Sequence, residues 1–139
     1  MIKVETLKRG FKKGIMTAVD MGKILVPIYI LVSLLRETPV IATISDVLTP
    51  AMGIFGLPGE ASIAIVLGNV INMYGAIGAM ASLEMTAKQV TIIAVMLSFS
   101  HSLIVESVIV KKVGVSVLMI VFIRVALSVT SGIVLNWIL

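Results

Sequence analysis

The chain has 139 residues, of which 59% are hydrophobic and 13% are charged, whereas a typical soluble domain carries about 25% charged residues. Together with a mean hydropathy of +1.18, this composition excludes an ordinary soluble domain and indicates one small integral membrane domain. The chain contains no cysteine, which excludes a disulfide framework, thiol catalysis and cysteine metal sites.

Much of the positive charge lies at the start of the chain. The first 13 residues contain a basic cluster of Lys3, Lys8, Arg9, Lys12 and Lys13. Beside a membrane segment such a cluster marks the cytoplasmic side, so we expect a cytoplasmic N-terminus, contact with membrane lipid and no nucleic-acid partner. Apolar residues recur at helical spacing between these lysines, which predicts a basic amphipathic interfacial helix over residues 1–14.

Residues 15–139 are predicted to form a single transmembrane domain. Its first span covers residues 15–35 and should kink at Pro27, because proline lacks a backbone donor. Residues 40–57 contain Asp46, Pro50 and two glycines, so they form either a broken span or the descending arm of a re-entrant hairpin that turns at Pro58-Gly59. The positive-inside rule does not decide between these two topologies.

The remaining chain is predicted to contain a long helix over residues 61–83 and two spans over residues 90–110 and 115–139. The fold class is therefore all-α. We expect a polytopic helical membrane protein with four to five membrane segments and a broken or re-entrant element around residues 40–60.

Charged and polar side chains inside the apolar segments need an explanation, since each is costly in a bilayer. Arg124 is the deepest charge, and it is either a structural ion-pair partner of Glu106 or Glu60 or part of a functional site. His101 is either a residue that hydrogen-bonds between helices or a metal ligand.

Two amides and a carboxylate follow the Pro-Gly turn. Asn69 and Asn72 either join helices or bind the polar edges of a ligand. Glu60 either complements the positive end of a helix or contacts an ion or substrate. No catalytic motif accompanies these residues, so we expect no enzymatic activity, no catalytic residue and no cofactor.

The combination of these motifs resembles the Gate, or nucleoside-recognition, domain family. The matching pieces are Leu48–Gly53, Gly56–Ala61, Gly68-Asn69, Asn72–Tyr74, Leu97–Ser102 with Glu106, and the final span with Arg124. Similar domains occur in concentrative nucleoside transporters, in the membrane part of ferrous iron transporter B, and in spore maturation proteins A and B. In the larger transporters the unit occurs twice, in inverted orientation.

The resemblance implies a transport protein, or half of one, in a prokaryotic cell membrane. One unit should then pair with a second as a homodimer, whose orientation stays open, and should bind a small, nucleoside-like polar solute with possible Na⁺ or H⁺ coupling. By analogy the substrate would contact two groups of residues: Glu60, Ser62, Asn69 and Asn72 on one wall, and His101, Ser102, Glu106 and Arg124 on the other.

Two other functions stay open at this stage. The chain could be a non-transporting interaction or scaffold subunit, in which the polar residues serve helix packing. It could also form a metal-ion pathway through His101, Glu106 and Glu60, although no metal-binding spacing supports one.

Overall fold

The computed structural model describes residues 4–139, which form seven helices and contain no strand. The all-α prediction is confirmed. The helices are α1 (Val4–Arg36), α2 (Pro39–Gly53), α3 (Ala61–Val70), α4 (Met73–Ser82), α5 (Ala87–Ser100), α6 (Leu103–Lys112) and α7 (Val117–Ile138).

Three stretches are long and apolar enough to cross a membrane, judged by length and composition: α1, the Ala87–Lys112 stretch formed by α5 and α6, and α7. Helix α1 is 33 residues long and continues through Pro27. It runs without interruption across the predicted boundary between residues 14 and 15. The interfacial placement of residues 1–14 stays a prediction, and residues 1–3 lie outside the described part of the chain.

Helix α2 begins with Pro39 in its first turn, where a missing backbone N–H costs no hydrogen bond. Its 15 residues measure only about 22 Å, which is less than the roughly 30 Å of a bilayer core. The chain then turns through Gly56, whose φ of +66° favours glycine. At Gly59 a side chain would have no room, because a Cβ atom would lie 2.1 Å from the Ser45 carbonyl oxygen. A broken element around residues 40–60 is therefore present.

Two helices predicted as continuous are interrupted. The predicted helix over residues 61–83 is divided into α3 and α4, with Asn72 in an extended conformation between them. The predicted span over residues 90–110 is divided into α5 and α6, and Ser102 adopts a left-handed conformation with φ of +55°. The prediction of one long helix over residues 61–83 was wrong at Asn72, whereas the span predicted over residues 90–110 lies within the candidate span Ala87–Lys112 and is interrupted at Ser102. Polar contacts described below stabilise both breaks.

The core lies where α3, α4 and α5 meet, and α4 also packs against α1 while α5 packs along α7. Small residues let these helices approach closely. A Cβ atom on Gly68 would lie 2.7 Å from Leu97 of α5, and one on Gly78 would lie 2.8 Å from the Leu25 carbonyl oxygen of α1. Close packing of the three central helices brings both helix breaks next to each other.

Candidate solute site at two helix breaks

The break between α5 and α6 contacts the last turn of α3. The backbone N–H of Ser102 donates a hydrogen bond to the Gly68 carbonyl oxygen at 2.9 Å. Ser102 reaches this position because its left-handed conformation turns the chain out of the α5 axis. Discontinuous helices that meet inside a bundle are a common way for membrane transporters to build a binding site, since they expose polar backbone away from lipid.

Arg124 of α7 joins the two sides of the α5–α6 break. Its Nε donates to the Phe99 carbonyl oxygen at 2.6 Å, and its Nη2 donates to the His101 carbonyl oxygen at 3.1 Å. Its Nη1 pairs with Glu106 of α6. A helix end leaves carbonyl groups without partners, and a cation there is favourable. The guanidinium, with its fixed fork of donors, therefore satisfies the carbonyls that the break exposes.

Glu106 lies between two basic groups. It pairs with Arg124, and its Oε1 is 3.9 Å from Nε2 of His101. The His101 Nδ1 is 2.8 Å from the Leu97 carbonyl oxygen. Of the two partners that the sequence left open for Arg124, the structure contains Glu106. The structure thus brings His101, Ser102, Glu106 and Arg124 together, and their contact with a substrate stays a prediction.

The break between α3 and α4 depends on Asn72. Its Oδ1 accepts a hydrogen bond from the Gly75 N–H at 3.0 Å, which makes Asn72 the N-cap of α4. The Leu67 carbonyl oxygen accepts from both the Ile71 and the Asn72 N–H groups and closes the last turn of α3.

We expect the substitution Asn72→Ala to lower the free energy of unfolding by about 1 kcal/mol, because the Gly75 N–H loses its capping partner. Thermal or denaturant unfolding of the purified protein in detergent measures this change. Asn72→Asp retains a capping oxygen and should unfold close to the unmodified protein. Equal stability of the alanine variant and the unmodified protein would contradict the capping role.

A cavity of about 240 Å³ lies beside the two breaks. Its polar lining comes from Asn69 of α3, Ser100 of α5 and Ser128 of α7, and the apolar lining includes Phe55 and Met96. The Nδ2 of Asn69 donates to the Ile65 carbonyl oxygen at 2.8 Å. Its Oδ1 is buried and has no hydrogen-bond partner within the described residues. A buried acceptor without a partner is unfavourable, so the Asn69 side chain is a candidate contact for a ligand or water that carries an N–H or O–H group.

Ser100 and Ser128 form the other polar surface of this cavity. Both are buried, and their hydroxyl oxygens are 3.2 Å apart. The sequence placed Arg124 and Ser128 one helical turn apart, but neither serine was predicted as a ligand contact. The face of α7 that carries Arg124 and Ser128 lies against the end of α5 that carries Ser100. Only the packing of the two helices reveals this, so the sequence alone does not identify the two serines.

Of the eight predicted contacts, only Asn69 is among the residues that line this cavity. Ser62 is buried, donates to the Gly59 carbonyl oxygen at 2.6 Å and faces a separate apolar hollow beside Ile44 and Leu48 of α2. Glu60 precedes α3 and makes no ion pair within the described residues, so it is not the partner of Arg124. Among residues 4–139 no group of three histidine, aspartate or glutamate side chains lies close enough to hold a metal ion.

Long apolar helices define the chain as an integral helical membrane protein. Comparison with known families identifies it more closely: the Gate family, described as nucleoside recognition, matches residues 18–127, and the chain belongs to this family. It is 44% identical over 127 residues to an uncharacterized membrane protein, YvoD, of Bacillus subtilis (strain 168). That alignment covers 91% of the chain but 41% of YvoD. No solved structure matches the chain.

Proposed function

We propose that the chain is a transport protein, or half of one, that binds a small nucleoside-like solute in the Asn69 cavity. The observation that carries this proposal is Asn69, whose buried Oδ1 has no hydrogen-bond partner within the described residues and whose side chain lines a cavity beside two broken helices. The N-terminus is proposed to lie in the cytoplasm of a prokaryotic cell, since the basic cluster flanks the first span.

The chemistry of the lining favours a solute with N–H or O–H donors on its edge and apolar faces. Asn69 Oδ1 can only accept a hydrogen bond. The Ser100 and Ser128 hydroxyls can donate or accept, and the ring of Phe55 and the thioether of Met96 contact flat apolar surfaces well. A nucleobase combines these properties, since its edge carries N–H groups and its faces are apolar.

The size of the cavity fits a small solute. A volume of about 240 Å³ is slightly below the roughly 300–1,000 Å³ of pockets that hold drug-sized ligands. The proposal includes a homodimer of open orientation, in which a second copy would enclose the cavity further, and alternating access by rocking of the two halves. Coupling to Na⁺ or H⁺ belongs to the same proposal.

The experiment is a thermal-shift screen of the protein in detergent against nucleosides, nucleobases, Na⁺ at two pH values and divalent metals. A ligand that binds the native state raises its stability by about 2.7 kcal/mol at a hundred-fold excess over Kd. We expect a nucleoside or nucleobase to raise the Tm, and sugars without a base to leave it unchanged. A flat response to the whole panel would contradict solute binding and favour the scaffold function.

A further inference from the structure

The first half of α1 extends beyond the helical bundle. Every residue from Val4 to Asp20 is exposed, and the first partly buried position of α1 is Met21. The whole helix measures about 50 Å, whereas a bilayer core is about 30 Å thick. The surplus is longer than helix tilt alone readily accommodates, so the first turns of α1 must lie in the headgroup layer or in water.

This projecting segment has two distinct surfaces. Apolar side chains form a stripe at helical spacing, and they are largely exposed: Val4 at 80%, Leu7 at 63%, Phe11 at 74% and Ile15 at 50%. Four basic residues, Lys8, Arg9, Lys12 and Lys13, lie beside this stripe and on the opposite side, against one acidic residue, Glu5. Such a helix has an apolar face that water disfavours and a cationic face that anions attract.

We propose that the segment from Val4 to Ile15 binds anionic phospholipid and lies in the headgroup layer of the membrane that α1 crosses. The apolar stripe would enter the boundary of the acyl chains. The lysines and the arginine would pair with lipid phosphates, as juxtamembrane basic clusters do. Neither signal alone gives stable membrane attachment, but an apolar surface together with a basic patch does.

Two observations favour lipid over a protein partner as the occupant. The segment is continuous with a span, so a bilayer surface always lies beside it, and its charge is complementary to that of anionic headgroups. The positive-inside rule explains the basic residues but does not require an apolar stripe at helical spacing.

The helix can bend toward the membrane surface at Gly14. A Cβ atom there would meet nothing within 4 Å, so packing does not require this glycine. Glycine lowers helix stability relative to alanine, so a bend costs less at Gly14 than at most other positions of the segment. Gly14 lies at the end of the amphipathic segment, where a bend would place the stripe of Val4, Leu7 and Phe11 parallel to the bilayer.

The test uses the full chain in lipid nanodiscs, which expose both faces and so make insertion orientation irrelevant. The chain has no cysteine, so single variants Phe11→Cys and Thr6→Cys can each carry a fluorescent label. Thr6 lies on the opposite side of α1 from the stripe, and its replacement changes no charge. Nanodiscs contain phosphatidylcholine alone or with added phosphatidylglycerol, and a water-soluble quencher reports exposure of the label.

We expect phosphatidylglycerol to reduce quenching at Phe11→Cys several-fold and to leave quenching at Thr6→Cys nearly unchanged. High salt should reverse the protection by screening the headgroup charges. Equal quenching of the two labels in anionic nanodiscs would overturn the proposal, because the segment would then project into water. Equal protection of Phe11→Cys in neutral and anionic nanodiscs would also overturn it, since lipid charge would have no role.

Discussion

The substitution Arg124→Ala should lower the free energy of unfolding by about 3 kcal/mol and the Tm by roughly 10 °C. The guanidinium donates to the Phe99 and His101 carbonyl oxygens and pairs with Glu106. Alanine leaves both carbonyls without that donor and leaves Glu106 without its arginine partner in a half-buried position. Thermal and denaturant unfolding in detergent measure the loss.

Two further variants separate the charge of Arg124 from its geometry. Arg124→Lys keeps the charge but lacks the planar fork, so we expect an intermediate loss. The pair Arg124→Ala and Glu106→Ala in a double-mutant cycle should give a coupling energy of about 1 kcal/mol or more, since the two residues are in contact. An unchanged Tm of Arg124→Ala would show that Arg124 does not stabilise the break, and additive losses in the cycle would show that its pairing with Glu106 contributes nothing.

The substitution Asn69→Leu should weaken solute binding by about 10- to 100-fold. The free energy of unfolding should stay unchanged or rise slightly. The buried Asn69 Oδ1 has no hydrogen-bond partner among residues 4–139, and an apolar residue of similar shape removes this unfavourable group. The same oxygen is the proposed acceptor for a solute N–H group, and loss of one buried hydrogen bond weakens binding by about 1–3 kcal/mol. Thermal shifts with and without the solute measure both quantities.

Asn72→Ala is the matched control for Asn69→Leu. Asn72 lies three residues further along the chain, but its Oδ1 caps α4. We therefore expect Asn72→Ala to lower stability and to keep the solute response, which is the reverse of the effect at Asn69. A solute response that survives Asn69→Leu and disappears in Asn72→Ala would place the solute elsewhere.

Local sequence predicts the features of the fold that depend on single residues. Pro58 and Gly59 predict the turn before α3, since both residue types disfavour a continuous helix. The breaks at Asn72 and Ser102 contain neither proline nor glycine and were not predicted. Asn72 is a common helix-cap residue and could have indicated the first break. The left-handed Ser102 donates its backbone N–H to Gly68, and the carbonyl oxygen of the preceding His101 accepts from Arg124. Both partners lie far away in sequence.

The candidate site was predicted only in part, because its residues meet through contacts between distant parts of the chain. The charged and polar residues around the α5–α6 break stand out in an apolar sequence, because each is costly in a bilayer without a partner. These residues come together because α7 packs against α5, and local sequence does not show this packing. Serines such as Ser100 and Ser128 cost little in a helix, since their hydroxyls can bond to a preceding carbonyl. Their sequence therefore gives no sign that they line a cavity.

The central claim is that solute enters the cavity beside the two helix breaks, and cysteine protection tests it most directly. Ser128→Cys is nearly isosteric, lines the cavity and would be the only thiol in the chain. Leu127→Cys is the control, since Leu127 is exposed on the outer surface of the same candidate span, where lipid or detergent would exclude a water-soluble reagent.

We expect Ser128→Cys to react with a small water-soluble thiol reagent, and the nucleoside or nucleobase that raises the Tm to slow this reaction. Leu127→Cys should react slowly and at the same rate with and without the solute. A Ser128 thiol that is as unreactive as the control, or that the solute does not protect, would contradict a solute site in this cavity.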